Sequence, residues 1–197
     1  MVYIDMVKLF ETDRLIVRNF EAGDAKDLFE YVSDAEVTKF LTFPTYKNIK
    51  QAHERIQFLH DKIYTKKEIG KDHDFAVAEK NSKKIIGSIG FSRWEKYGKD
   101  TSIAELGYII NPKYCGKGYA SEMVRGMLEY IGKNKLIKRV EAKHDPDNPA
   151  SGKVMLKAGM KYCRTDFGTM TNNINENTDA VVYYWCKRKF SSKKPKS

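Results

Sequence analysis

The apolar positions of this chain follow helical spacing in some segments and strand alternation in others. Apolar residues at steps of three and four predict helices over residues 22–33, 48–67 and 119–134, and a short proline-initiated helix is expected over residues 149–158. The asparagine-rich polar stretch over residues 167–178 is expected to be a loop. Strands are predicted over residues 9–18, 74–79, 84–93, 101–110, 139–144, 161–166 and 179–187.

The order of these elements predicts an α/β fold. The helix over residues 119–134 joins two strands, which must run parallel if the helix crosses over from one to the other. No internal repeat or linker interrupts the chain. We therefore expect one α/β domain over residues 1–190, with a mixed, mostly antiparallel sheet and a single parallel crossover.

The composition agrees with a packed globular protein. Of the 197 residues, 41% are hydrophobic and 12% aromatic, which is enough apolar surface for a sizeable core. No segment has the roughly 18 consecutive apolar residues of a membrane span, and the amino-terminal residues lack the pattern of a secretory signal. Three widely spaced cysteines predict neither a disulfide framework nor a metal site, so a cytoplasmic protein without membrane contact is expected.

The positive charge is concentrated at the carboxyl end. The net charge is +10, and six of the basic residues lie in the last eleven positions, which leaves about +4 on the rest of the chain. We expect residues 191–197 to form a flexible basic tail. This tail either makes a weak contact with a polyanion such as RNA or has no partner.

A glycine-containing loop between a strand and a helix is the sharpest chemical feature. In residues 113–120, small residues and successive backbone N–H groups at a helix start favour a bound phosphate, and Lys113 and Lys117 add positive charge. The spacing is not that of a P-loop, and a dinucleotide-binding fingerprint would need glycine where Ser121 stands. An ordinary glycine-rich turn remains the alternative at this point.

Further motifs extend the loop into a family resemblance. Gly116-Lys117-Gly118-Tyr119-Ala120 resembles the coenzyme A loop of the GNAT superfamily of N-acetyltransferases, with Lys113 in place of the usual Gln or Arg. Together with three further segments, the loop resembles the RimJ/RimL type, which acetylates protein N-terminal amines. These segments are Glu11–Arg18, Ala104–Ile110 and Asn148–Ser151.

The resemblance implies a fold in which the two parallel strands splay apart and admit acetyl-CoA as cosubstrate. The pantetheine would pair with backbone at Tyr108, Ile109 and Ile110, and Asn148 would hold pantetheine or order a water. Gly107 would mark either a bulge that begins the splay or a place of close helix packing. The pyrophosphate would lie on Gly116, Lys117, Gly118, Tyr119 and Ala120, and the further candidates for binding the cosubstrate are Lys113, Ser121 and Ser151.

Acetyl transfer needs one group that takes a proton from the amine and one that gives a proton to the thiolate. Glu105, a carboxylate within an apolar strand, is the candidate base, unless it is only a solvated strand residue. Ser151 is the candidate acid, unless its hydroxyl only caps its own helix; many family members use a tyrosine at the position of Met155. Tyr46 and Trp94 would line the amine pocket, or belong to the core.

The leading hypothesis is therefore an acetyl-CoA-dependent N-acetyltransferase acting on a protein N-terminal α-amine. A small amine acceptor, such as an amino acid, polyamine or antibiotic, is the alternative, and a non-catalytic acyl-CoA-binding module is a third. The expected acceptor loops, residues 40–47 and 167–178, show no acidic cluster that would suit a polycation. A homodimer remains open.

Overall fold

In the computed structural model, the described residues are 8–65, 73–93, 103–133, 137–174 and 176–186. Their strands form one eight-stranded sheet in the order β1-β2-β3-β4-β5-β6-β8-β7. The strands are β1 (Lys8–Glu11), β2 (Leu15–Arg18), β3 (His73–Glu79), β4 (Ile85–Arg93), β5 (Ile103–Ile110), β6 (Arg139–His144), β7 (Lys161–Met170) and β8 (Thr178–Cys186). All neighbours are antiparallel except β5 and β6, which confirms the predicted mixed sheet with one parallel crossover.

Five helices accompany the described strands. They are α1 (Ala25–Val32), α2 (Ala35–Thr38), α3 (Ile49–Phe58), α4 (Tyr119–Lys133) and α5 (Pro149–Lys157). Helix α3 begins with a reciprocal cap between Asn48 and Gln51 and continues as a π-helix over Leu59–Tyr64. None of the helices in the described part of the chain is long and apolar enough to cross a membrane.

Two predicted boundaries are wrong. The segment expected as one strand over residues 9–18 is a hairpin of β1 and β2, because the Thr12 hydroxyl accepts from the backbone N–H of Leu15 and turns the chain. The segment expected as a loop over residues 167–178 starts as strand, since β7 continues to Met170 against β8.

The sheet separates two hydrophobic clusters. On one face, α4 buries Met123, Val124, Met127, Leu128 and Ile131 against the strands, as its predicted apolar stripe requires. On the other face, α1 and α3 pack over the β2–β4 half of the sheet around Tyr31, Ala52 and Leu59. Alternation along β5 therefore directs Ala104 and Leu106 to the α4 face and leaves Glu105 and Gly107 on the opposite face.

The parallel pair is short. β5 and β6 are paired at three positions, Ile103 to Arg139, Ala104 to Val140, and Glu105 to Glu141. Past Glu105, β5 continues along β4 to Ile110, while β6 continues along β8 to His144. The two strands thus separate at Glu105 and leave a gap in the sheet.

Candidate functional site

The gap between β5 and β6 is the centre of the candidate site. Along residues 106–110, β5 is hydrogen-bonded on its β4 side, and residues 142–144 of β6 are bonded on their β8 side. The edges that face the gap are therefore not paired with each other, and an extended ligand can hydrogen-bond to them. Tyr108, Ile109 and Ile110, the predicted pantetheine contacts, lie on this stretch of β5.

A tyrosine and a serine meet on the α4 face of the gap. The Tyr108 hydroxyl lies 2.9 Å from Ser151 Oγ and 2.8 Å from the Ser151 carbonyl oxygen. Burial raises the pKa of Tyr108 to about 12, against the opposing effect of the hydrogen bond with Ser151. The Ser151 hydroxyl is thus directed across the gap rather than only along its own helix.

Helix α5 is held so that its first turn faces the gap. Asn148 caps the helix, and its side-chain oxygen accepts from the backbone N–H of Ser151 at 3.3 Å. A Cβ on Gly152 would approach His144 Nε2 to 2.5 Å, so only glycine lets α5 pack this closely on the end of β6. His144 is buried and stacks on Tyr183, which makes it part of this packing.

Glu105 lies on the opposite face, at the residue where the parallel pairing ends. Its Oε1 is 3.2 Å from Lys143 Nζ on the neighbouring strand β6, and about a quarter of each side chain is exposed (26% and 27%). A shallow crevice beside it is lined by charged groups of β6 and β7, among them Glu141 and Arg164. The base candidate and the acid candidate therefore approach the gap from different faces of the sheet.

Gly107 agrees with neither of its two predictions. The pairing of β4 with β5 is regular through Gly90 and Gly107, so no bulge in this pairing begins the separation. Among the described residues, a Cβ on Gly107 would meet no atom within 4 Å, so none of the described helices packs closely there. The glycine instead leaves open space on the face that also carries Glu105.

The glycine loop adopts a conformation that glycine favours. Gly116 and Gly118 have φ angles of +77° and +82°, in the left-handed region. The loop leads directly into α4, where Tyr119 begins the helix, Ala120 is half-buried and Ser121 is buried. Backbone N–H groups at the start of a 15-residue helix suit a phosphate group, and the residues present fit a pyrophosphate.

A clamp from the β1–β2 turn holds this loop. The Arg14 guanidinium donates to Glu122 Oε2 (2.7 Å) and to the Lys117 carbonyl (3.0 Å), and it lies 4.2 Å above the centre of the Tyr119 ring. Thr12 Oγ1 donates to Glu122 at 2.5 Å. Burial raises the pKa of Glu122, but the hydrogen bonds from Thr12 and Arg14 outweigh it and lower the pKa.

The two lysines predicted at the pyrophosphate have protein neighbours. Lys113 Nζ is 2.6 Å from Glu30 Oε1 of α1, and this hydrogen bond raises the pKa of Lys113. Lys117 Nζ lies 5.4 Å above the Tyr114 ring. Sequence reasoning did not find Glu30, Arg14, Lys143 or the Tyr108 hydroxyl, because their partners lie far away along the chain.

Of the two residues predicted to line the amine pocket, the structure describes Tyr46 but not Trp94. Tyr46 packs beside Phe43 and against the α1–α3 cluster, and burial raises its pKa. Trp94 and the basic tail at residues 191–197 lie outside the described residues. Asn173, in the turn between β7 and β8, hydrogen-bonds to the loop that carries Tyr46.

Comparison with known protein families points to one activity. A family model described as an acetyltransferase (GNAT) domain matches residues 14–161. The chain is 33% identical over 144 residues to an uncharacterised N-acetyltransferase, p20, of Bacillus licheniformis, covering 73% of this chain and 77% of that protein.

Two further proteins are similar over most of their length. The [ribosomal protein uS5]-alanine N-acetyltransferase of Escherichia coli is 28% identical over 153 residues, covering 76% of each chain. A crystal structure of a GNAT-family acetyltransferase from Bacillus anthracis superimposes with a TM-score of 0.76 at 26% identity, covering 90% of this chain and 97% of that one.

Proposed function

This chain belongs to the GNAT acetyltransferase family and is an N-acetyltransferase, and we propose that it transfers acetyl from acetyl-CoA to the α-amine of a protein or peptide N-terminus. The observation that carries this proposal is the gap between β5 and β6, with Ser151 on one face and Glu105 on the other. The glycine loop at the start of α4 lies at the end of β5 where a pyrophosphate would be held.

The chain's own groups account for both proton movements. Acetyl-CoA supplies a thioester carbonyl; a bond forms between the amine nitrogen and this carbon, and the bond from carbon to sulfur breaks. Glu105 accepts, through water, the proton that the amine nitrogen loses. Ser151 donates its hydroxyl proton to the leaving sulfur and regains a proton from solvent, while Tyr108 is hydrogen-bonded to its Oγ.

The pKa of the acceptor amine favours an N-terminal α-amine over a lysine side chain. An N-terminal amine has a pKa near 7.7–8.0, so roughly a tenth of it is neutral at pH 7, against well under 0.1% of a lysine amine. A carboxylate such as Glu105 is a modest base, so it suits an α-amine better than a lysine amine, which is almost wholly protonated at this pH. The E. coli relative named as a ribosomal-protein alanine N-acetyltransferase supports the same acceptor class.

A panel of acceptors tests the proposal. We expect octapeptides with a free N-terminal Ser or Ala to be acetylated at least about tenfold faster at pH 7 than the same peptides with a blocked N-terminus and an internal lysine. Free amino acids and polyamines complete the panel, with coenzyme A release as the measurement. A tenfold preference for blocked lysine peptides or for a small amine would contradict the N-terminal assignment and leave the acetyltransferase activity standing.

The Glu105→Gln variant tests the base in the same assay. Turnover with the best peptide should fall about 10²-fold, the usual effect of a positioned proton-transfer group, with little change in acetyl-CoA affinity. Glu129→Gln, on the exposed side of α4, is the matched control and should keep the activity of the parent. Full turnover by Glu105→Gln would remove Glu105 from the mechanism.

A further inference from the structure

Two loops on the proposed acceptor side are hydrogen-bonded to each other. The Asn173 side-chain amide donates to the carbonyl oxygens of Thr38 (2.9 Å) and Phe43 (2.7 Å). Its backbone N–H donates to the Lys39 carbonyl at 3.1 Å. One asparagine of the β7–β8 turn thus joins both ends of the segment 38–43, which begins at the last residue of α2.

The adjacent residue ties the same turn to the end of β6. Asn172 Nδ2 donates to Asp145 Oδ2 at 2.7 Å, and Asp145 is only 1% exposed. The other carboxylate oxygen of Asp145 accepts from the backbone N–H of Asp147 at 2.8 Å. Asp145 and Asp147 lie in the turn after β6, which leads into the cap of α5. The hydrogen bond from Asn172 therefore connects the β7–β8 turn to the helix that carries Ser151.

The loop after α2 needs such external support because it has little regular structure of its own. Between α2 and α3, its internal bonds include one between the hydroxyls of Thr38 and Thr45 at 2.6 Å. The Tyr46 N–H donates to the Val32 carbonyl of α1 at 3.0 Å. The contacts of Asn173 fix the start and the middle of this loop to the opposite half of the sheet.

We propose that Asn173 is a positioning residue that holds the loop 39–47 and residues 171–174 of the β7–β8 turn as one preformed wall of the acceptor site. Asn173 touches neither reacting group, and it acts by keeping Tyr46 and its neighbours in place before the acceptor binds. A preformed wall lowers the ordering cost of binding, so Asn173 sets the acceptor KM rather than the rate of chemistry. The inference rests on the proposed function for the identity of the acceptor side.

An isosteric substitution of Asn173 and a matched control substitution test the inference. Asn173→Asp keeps the shape, removes both amide donors and puts a carboxylate beside the carbonyls of Thr38 and Phe43. Asn177→Asp is the matched control, because it makes the same charge change in the same exposed turn, and Asp accepts the left-handed backbone found there (φ 58°).

Two measurements are made on the full chain. Hydrogen–deuterium exchange over residues 39–47 should become about tenfold faster in Asn173→Asp and stay at the parent rate in Asn177→Asp. With an octapeptide beginning with Ser or Ala, the acceptor KM should rise about tenfold in Asn173→Asp, while kcat and the acetyl-CoA KM stay near those of the parent.

The outcomes separate the two proposals. Unchanged exchange over residues 39–47 would show that Asn173 does not hold the loop. Faster exchange with an unchanged acceptor KM would overturn its role in acceptor binding. A fall in kcat as large as the rise in acceptor KM would overturn it too. If the parent acetylates no peptide or amine, the proposed function fails, while the exchange comparison still decides whether the loops are coupled.

Discussion

At the scale of single residues, the protonation state of Tyr108 decides what it can do. Because burial raises its pKa to about 12, the phenol stays protonated at every pH where the protein would work. Its proton then points either to the Ser151 carbonyl oxygen or to Ser151 Oγ, which lie 2.8 Å and 2.9 Å from the phenol oxygen. When it points to Oγ, the serine proton is directed elsewhere, so Tyr108 can orient the candidate acid.

Ser151→Ala and Tyr108→Phe should differ in severity. Removing the serine hydroxyl should lower kcat about 10²-fold, whereas removing the phenol hydroxyl, which acts through Ser151, should cost about tenfold. The double variant should be no slower than Ser151→Ala alone, since the two groups act as a unit. The measurement is kcat at saturating peptide, together with acetyl-CoA affinity by calorimetry, which should change little.

Tyr162→Phe provides the control for this series. Tyr162 is an exposed tyrosine of β7 whose hydroxyl lies 3.2 Å from Thr165, away from the gap. It should keep the parent kcat. If Ser151→Ala also keeps the parent kcat, water or another group protonates the thiolate. If the losses in the double variant are additive, Tyr108 does not act through Ser151.

The sequence predicts local motifs of the site better than its contacts across the fold. Gly118 and the Asn148–Ser151 cap lie within short segments whose spacing alone indicates their conformation. The pairing of Tyr108 with Ser151 and of Lys113 with Glu30 joins residues 43 and 83 positions apart, respectively. No periodicity reports such contacts, because they depend on how the strands and helices are placed in space.

At the scale of elements, the β1–β2 turn acts on the start of α4. Arg14 joins Glu122 of the first helical turn to the Lys117 carbonyl of the glycine loop. A Cβ on Gly118 would stand 3.5 Å from the Arg14 guanidinium, so the arginine lies directly against the loop. The wrong prediction of one strand over residues 9–18 concealed this turn, although residues 11–14 between its two apolar runs are all polar.

Arg14→Lys should weaken acetyl-CoA binding without slowing chemistry. Lysine cannot bind Glu122 and the Lys117 carbonyl at once with a planar fork, so the glycine loop loses its fixed geometry. We expect the acetyl-CoA KM to rise about tenfold, with kcat at saturation unchanged. Calorimetric titration with coenzyme A measures the same loss without turnover.

The matched control for this variant is Arg125→Lys. Arg125 lies on the exposed side of the same helix and donates to the Lys157 carbonyl, away from the glycine loop. Its coenzyme A affinity should equal that of the parent. Equal affinities for Arg14→Lys and the parent would show that the clamp does not position the loop.

At the scale of the whole molecule, the sheet is covered unequally on its two faces. Helices α4 and α5 lie on the face of Ser151, while α1 and α3 cover the β2–β4 half of the other face. The sheet face around Glu105 carries charged pairs, of Lys143 with Glu105 and of Arg164 with Glu141. The arrangement supports entry of the two substrates from opposite faces, with the gap between β5 and β6 as their meeting point.

The basic carboxyl end adds a property that the site does not explain. Deleting residues 191–197 removes three of its six basic residues, Lys193, Lys194 and Lys196. If the tail contacts RNA phosphates, log K falls with log salt by about 0.7–0.9 per phosphate contact, so the deletion should reduce this slope by roughly two. Peptide acetylation should be unchanged, because the site residues lie elsewhere.

Binding to a single-stranded RNA is measured between low and moderate salt. A variant that carries arginine at the three positions is the control, and it should keep the slope of the parent. An equal slope for the deletion and the parent would show that these lysines do not contact RNA.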